Sequence, residues 1–101
     1  MHLITDKLEQ IYTLYRKYGV KTLCVFGSTL TPRFNENSDV ALSATFNSEK
    51  DPLVAGKKKI LFYIRLVDLM GGRIDLIDED YLKNPYFKEE LQETKQLIYG
   101  L

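Results

Sequence analysis

Cysteine and histidine each occur once in this chain, at positions 24 and 2. A single cysteine excludes an intrachain disulfide and any cage of thiolates around a metal. Cys24 lies inside the apolar run "VKTLCVF", where a small buried thiol is the ordinary role. His2 has no His, Cys or Ser motif around it and reads as a tolerated terminal residue. A surplus of either charge is missing as well: 14 Lys and Arg face 14 Asp and Glu, for a formal net charge of zero. Nucleic-acid binders draw most of their non-specific affinity from neutralising phosphates, so this balance argues against that class. Long apolar runs are also lacking. The longest, "ILFYI", is cut by Arg65 and is far too short to cross a bilayer. The opening "MHLITDKLEQ" reads into a helix and not a signal peptide, so the expected location is cytoplasmic, with no membrane partner.

What remains is an ordinary mixture of apolar and charged residues in 101 positions, expected to form one domain over 1–101. That length is near the lower end of what buries a self-sufficient core, which leaves room for a partner or a second copy. Leu8, Ile11, Tyr15 and Tyr18 recur at helical spacing, with Thr5 as cap, and predict a helix over 5–18 ending at Gly19. "VKTLCVF" (20–26) reads as a buried strand closed by Gly27-Ser28. "TLTPRFNENS" is loop. "DVALSATF" (39–46) is a second strand, with Asp39, Ala41, Ser43 and Thr45 on one face and Val40, Leu42, Ala44 and Phe46 on the other.

Asp51-Pro52 then starts a long helix marked by Leu53, Ile60, Ile64 and Val67 and stopped at Gly71-Gly72. "RIDLID" (73–78) is a third strand, with Arg73, Asp75 and Ile77 sharing one face. Asn84-Pro85 opens a final amphipathic helix carrying Phe87, Leu91 and Ile98, with Thr94 between. The expected class is α+β (α/β-like), a small mixed sheet flanked by helices.

A glycine directly after a buried strand lets backbone N–H groups approach a phosphate, and a serine hydroxyl adds a donor. By itself a Gly-Ser pair is usually only a turn. Asp39 opens the next strand, however, and Asp75 sits between apolar neighbours in the third. Two adjacent strands could aim both carboxylates at one point beside Gly27-Ser28, and hard oxygen ligands near a phosphate-binding turn are what Mg²⁺ requires. Taken singly, Asp39 is an ordinary turn residue and Asp75 an ordinary solvent-facing carboxylate of an edge strand. Lys57-Lys58-Lys59 could suggest a nucleic-acid face, but a solvated basic helix face is the usual explanation.

Together, "VFGSTLTPRFNENSDVAL" and "GRIDLID", with the closing "YLKNPYFKEELQETKQLIYG", resemble the minimal nucleotidyltransferases, the MNT group of the DNA polymerase β-like superfamily. The resemblance covers nearly the whole chain. Their pattern is an apolar residue, Gly-Ser, about ten residues, Asp-x-Asp and a third Asp on a later strand. The resemblance implies a nucleotidyltransferase fold and Mg²⁺-dependent transfer of a nucleoside monophosphate from ATP or another NTP. By the same resemblance, Gly27 and Ser28 would hold the triphosphate. Asp39 would be a metal ligand, and Asp75 the carboxylate that helps activate the acceptor hydroxyl. Small members of the group act as antitoxins paired with a HEPN-type ribonuclease toxin, some by adenylylating a tyrosine on it.

The sequence departs from that pattern at two places. Ala41 stands where the family has the second Asp, and Thr29-Leu30-Thr31-Pro32 replaces an arginine-containing stretch. Arg33 is a candidate replacement phosphate contact, although a solvated loop arginine is its ordinary role. A two-metal site stabilises charge on both the attacking and the leaving oxygen, so loss of a bridging ligand is costly. A loss of about 10³-fold corresponds to roughly 4 kcal/mol. Two readings follow: an impaired antitoxin-type adenylyltransferase, or an inactive module of the same fold that acts by binding a partner protein.

Overall fold

The computed structural model describes residues 4, 6–27 and 39–100. Helix α1 (Leu8–Lys17) leads into strand β1 (Val20–Val25), and strand β2 (Val40–Phe46) follows. Helix α2 (Pro52–Leu69), strand β3 (Ile74–Asp78), a 3₁₀ turn (Glu79–Tyr81), helix α3 (Pro85–Thr94) and strand β4 (Gln96–Tyr99) complete the order. The four strands form one mixed sheet in the order β3-β2-β1-β4. β2 runs parallel to β3 and antiparallel to β1, and β4 is antiparallel to β1.

Alternation along the strands divides the sheet into two faces. Leu23, Val25, Val40, Leu42, Ala44 and Ile74 are buried on one face against Ile11 of α1 and Phe62 and Leu66 of α2. Phe62 is fully buried and meets Phe46 edge-on at 5.9 Å between ring centroids. α3 lies on the opposite face, where Leu91 is buried and the Phe87 ring meets that of Phe26 at 6.1 Å.

Local chemistry explains the helix ends. Asp51 accepts a hydrogen bond from the Leu53 N–H at 2.9 Å with Pro52 at the first helical position. Asn84 does the same for Tyr86 and Phe87 ahead of Pro85. α2 ends where Gly72, at φ +79°, returns its N–H to the Val67 carbonyl at 2.8 Å. Both cap-plus-proline starts and the Gly71-Gly72 stop therefore lie where the sequence places them.

Two expectations require correction. α1 begins at Leu8 and not at residue 5; Asp6 and Lys7 form a turn whose Lys7 N–H donates to the Ile4 carbonyl, and the expected cap Thr5 lies outside the described residues. The last helix stops at Thr94, and Ile98 belongs to β4. Lys95 turns extended there (ψ 147°), and the next four residues pair with the open edge of β1, a tertiary gain that outweighs the helical spacing of Leu91 and Ile98. In α2, the stripe of Leu53, Ile60 and Ile64 points away from the core, whose side of the helix is Phe62 and Leu66.

Among the described residues no helix is long and apolar enough to cross a membrane. Because Phe62 joins both layers of the core, Phe62→Ala should lower the unfolding free energy by about 3–5 kcal/mol. Denaturant titration should show a lower midpoint with an unchanged slope.

Candidate active site

The ends of three strands meet at one corner of the sheet, on the face turned away from α1 and α2. β1 ends at Phe26-Gly27, and the Phe26 N–H donates to the Ala41 carbonyl at 3.0 Å. Gly27 has φ +66°, a conformation that favours a residue without a Cβ. A Cβ built there would lie 3.9 Å from that of Ala41. The turn therefore sits directly beside position 41.

The parallel register pairs Val40 with Ile74 and Ala41 with Asp75. Paired positions on neighbouring strands put their side chains on the same face about 4.8 Å apart. Ala41 and Asp75 are thus side by side, and Asp39 directly precedes β2 at the strand entrance. Asp39 and Asp75 are both exposed, and β3 is an edge strand. Gly27, Asp39, Ala41 and Asp75 come together in this corner; Ser28 and Arg33 lie outside the described residues.

Two carboxylates form the donor set of this corner, since position 41 supplies a methyl group. Among the described residues, no group of three or more His, Cys, Asp or Glu is placed to hold a metal ion. A pair of carboxylates suits a single Mg²⁺ that takes its remaining ligands from water and nucleotide phosphates.

Deeper on the same face lies a polar cluster that the sequence did not single out. Ser43, two residues beyond Ala41, is fully buried and donates to Glu79 Oε2 at 2.8 Å. Gln92 Nε2 and Lys95 Nζ donate to Glu79 Oε1 at 3.0 and 2.9 Å. One carboxylate thus ties β2 to the end of α3 and the start of β4. Burial pushes the Glu79 carboxyl up, but hydrogen bonds from Lys95 and Ser43, the Lys95 charge and the Gln92 bond together outweigh it and hold it below its ordinary value. Burial pushes the neighbouring Cys24 thiol up, with the Lys95 charge opposing, which suits an inert core residue. In sequence Glu79 is hidden inside the acidic run "DLIDEDY"; the only trace is Gln92 and Lys95 three apart, on one side of a helix end.

The lysine run on α2 is partly engaged within the fold. Lys58 pairs with Glu49 at 3.4 Å and Lys59 with Asp78 at 2.8 Å.

The lowered Glu79 value sets a sign for acid stability. Its contribution is complete above the ordinary carboxylate value of 4.5 and disappears as pH falls through the folded value. Thermal unfolding should therefore show the wild type losing stability on acidification below that point more steeply than Glu79→Gln. Parallel slopes would show that Glu79 is not stabilised as a carboxylate.

The sequence profile of the nucleotidyltransferase domain family matches residues 7–98. The chain is 35% identical over 86 residues to the "Putative protein adenylyltransferase MJ0128" of Methanocaldococcus jannaschii, covering 85% of this chain and 82% of that protein. It is 30% identical over 97 residues to the protein adenylyltransferase MntA of Thermococcus cleftensis, covering 91% and 94%. Among solved structures, the "Structure of putative minimal nucleotidyltransferase" superposes with a TM-score of 0.65 at 26% identity, over 95% of each chain. A toxin–antitoxin crystal structure with AMP-PNP superposes with a TM-score of 0.67 at 16% identity, over 92% of this chain and 73% of that one. With this match to the mixed sheet and its helices, the chain belongs to the nucleotidyltransferase domain family, in its minimal, MNT-type branch.

Proposed function

We propose that this chain is an adenylyltransferase-type antitoxin that receives Mg-ATP at the Gly27–Asp39–Asp75 corner and is catalytically impaired by Ala41. The observation that carries the proposal is the register of Ala41 on Asp75, with Gly27 against Ala41. That geometry supports the reading, because the Gly27 turn and Asp75 lie on either side of one methyl group, with Asp39 two residues before it. The protein acceptor, a HEPN-type toxin, is supported by the curated adenylyltransferases to which the chain is similar and by the toxin–antitoxin complexes that share its fold.

In the transfer, an acceptor hydroxyl oxygen attacks the α-phosphorus of ATP. A new O–P bond forms, the bond from that phosphorus to the oxygen bridging it to the β-phosphate breaks, and pyrophosphate leaves. Asp75, an exposed carboxylate on β3, is assigned to take the hydroxyl proton. The backbone at Gly27 approaches the triphosphate because no side chain intervenes, and Ser28 adds a hydroxyl donor. Arg33 is assigned a phosphate contact. Asp39 and Asp75 would hold Mg²⁺, which when bound neutralises phosphate charge and orients the nucleotide.

Most of the barrier reduction in such transfers comes from positioning and charge stabilisation. A missing bridging ligand therefore affects turnover more than binding.

A second reading, a catalytically inactive module that acts by binding its partner, is favoured by that same methyl group. Transfer of labelled AMP from ATP to a HEPN-type partner separates the two. Ala41→Asp should raise labelling by about 10³-fold, equivalent to about 4 kcal/mol. Adding Asp39→Asn to that variant should abolish the gain. If both the wild type and Ala41→Asp are silent while the partner binds, the chain is the interaction module.

A further inference from the structure

Helix α2 is apolar on both sides. Phe62 and Leu66 are buried under the sheet, yet Leu53, Ile60 and Ile64 on the opposite pole are 83%, 61% and 49% exposed. Exposed apolar residues grouped on one face in this way mark an interaction surface. Pro52, Leu53, Gly56, Lys57, Ile60 and Leu61 line a shallow concavity of about 390 Å³ on that pole. Gly56 lies in the helix interior, where glycine weakens the helix relative to alanine, and a Cβ built there meets nothing within 4 Å. Among the described residues, none comes close enough to require glycine there.

We propose that this face is a homodimer interface, in which α2 packs antiparallel on α2 of a second copy about a twofold axis at Ile60. The sequence is self-complementary in that arrangement. Ile64 of the second copy enters the notch over Gly56, Leu53 meets the outer edge of Val67, which is half-buried against its own core, and Ile60 meets itself on the axis. The charges agree as well. Lys57, on the exposed line, falls over the ring of Tyr63 and not against Lys57 of the second copy. Asp68 reaches the first turn of the opposite helix at Pro52, beside Lys50, where the helix dipole favours an anion. The two macrodipoles run antiparallel. An isologous contact of this kind closes on itself and leaves no exposed apolar edge. It also leaves the Gly27–Asp39–Asp75 corner uncovered, because that corner lies on the other face of the sheet.

Sedimentation velocity and cysteine cross-linking test the arrangement. The wild type should sediment as a dimer, and Ile60→Asp should weaken the dimer by about 30-fold or more. Because Ile60 is exposed, that variant should still unfold cooperatively as a folded monomer, with a midpoint lower than the wild type by the lost association and independent of protein concentration. Under mild oxidation Ile60→Cys should form a disulfide dimer. Leu53→Cys should not, since its two copies lie about 20 Å apart at 1.5 Å per residue. Native Cys24 is buried and serves as the silent control. A monomer at roughly 100 µM overturns the proposal. So does a dimer indifferent to Ile60→Asp, or equal cross-linking at Leu53→Cys and Ile60→Cys. A monomer whose α2 variants lose a different protein partner assigns the face to that partner.

Discussion

The parallel pairing of β2 on β3 is the constraint on which the rest of the molecule depends. Side chains alternate along a strand, so a slip of one residue would bring Asp75 to the core face and expose its neighbours. The register is held by groups remote from any chemistry: Val40, Leu42 and Ile74 are buried against the helices, and each belongs to the strand pair that carries a carboxylate. The core thus fixes where Asp75 points. Position 41 inherits its place from the same packing, and an aspartate there would stand beside Asp75 without any change of backbone.

The opposite face is organised by electrostatics, where the first is organised by apolar burial. Glu79 accepts from β2 through Ser43, from α3 through Gln92 and from the α3–β4 junction through Lys95. A buried carboxylate is tolerable only when it is fully paired, and this one is. Its effect is to hold α3 across the face that carries the carboxylate corner while leaving that corner open. The Phe26–Phe87 contact adds an apolar anchor one residue before Gly27. Rigidity around the turn therefore comes from both kinds of interaction.

Much of this was legible in the sequence. Asp51-Pro52, Asn84-Pro85 and Gly71-Gly72 announce helix ends because capping is local chemistry. The alternation of "DVALSATF" announces its two faces because the strand period is fixed. β4 was not legible, since a four-residue edge strand takes its stability from β1 and carries no period of its own. The α2 stripe marked the helix but not its orientation, because spacing shows that a face is apolar and not which way it turns. Glu79 was invisible because only the fold brings Ser43, Gln92 and Lys95 to it. The carboxylate corner was readable as a spacing of Asp39 and Asp75, and the fold supplied what spacing lacks, the adjacency of Ala41 to both Asp75 and Gly27.

The proposed function comes down to one claim of ours: the frame accepts a nucleotide with its metal ion, while transfer is limited by Ala41 in place of a carboxylate. One or two carboxylates with substrate phosphates are enough to hold Mg²⁺, whereas a two-ion transfer site needs a bridge. The most direct test is calorimetric titration of ATP into the wild type and into Asp75→Asn, each with Mg²⁺ and with EDTA. The account predicts binding that needs Mg²⁺ and is weakened by Asp75→Asn. Binding indifferent to both the metal and Asp75, or no binding at all, would contradict it.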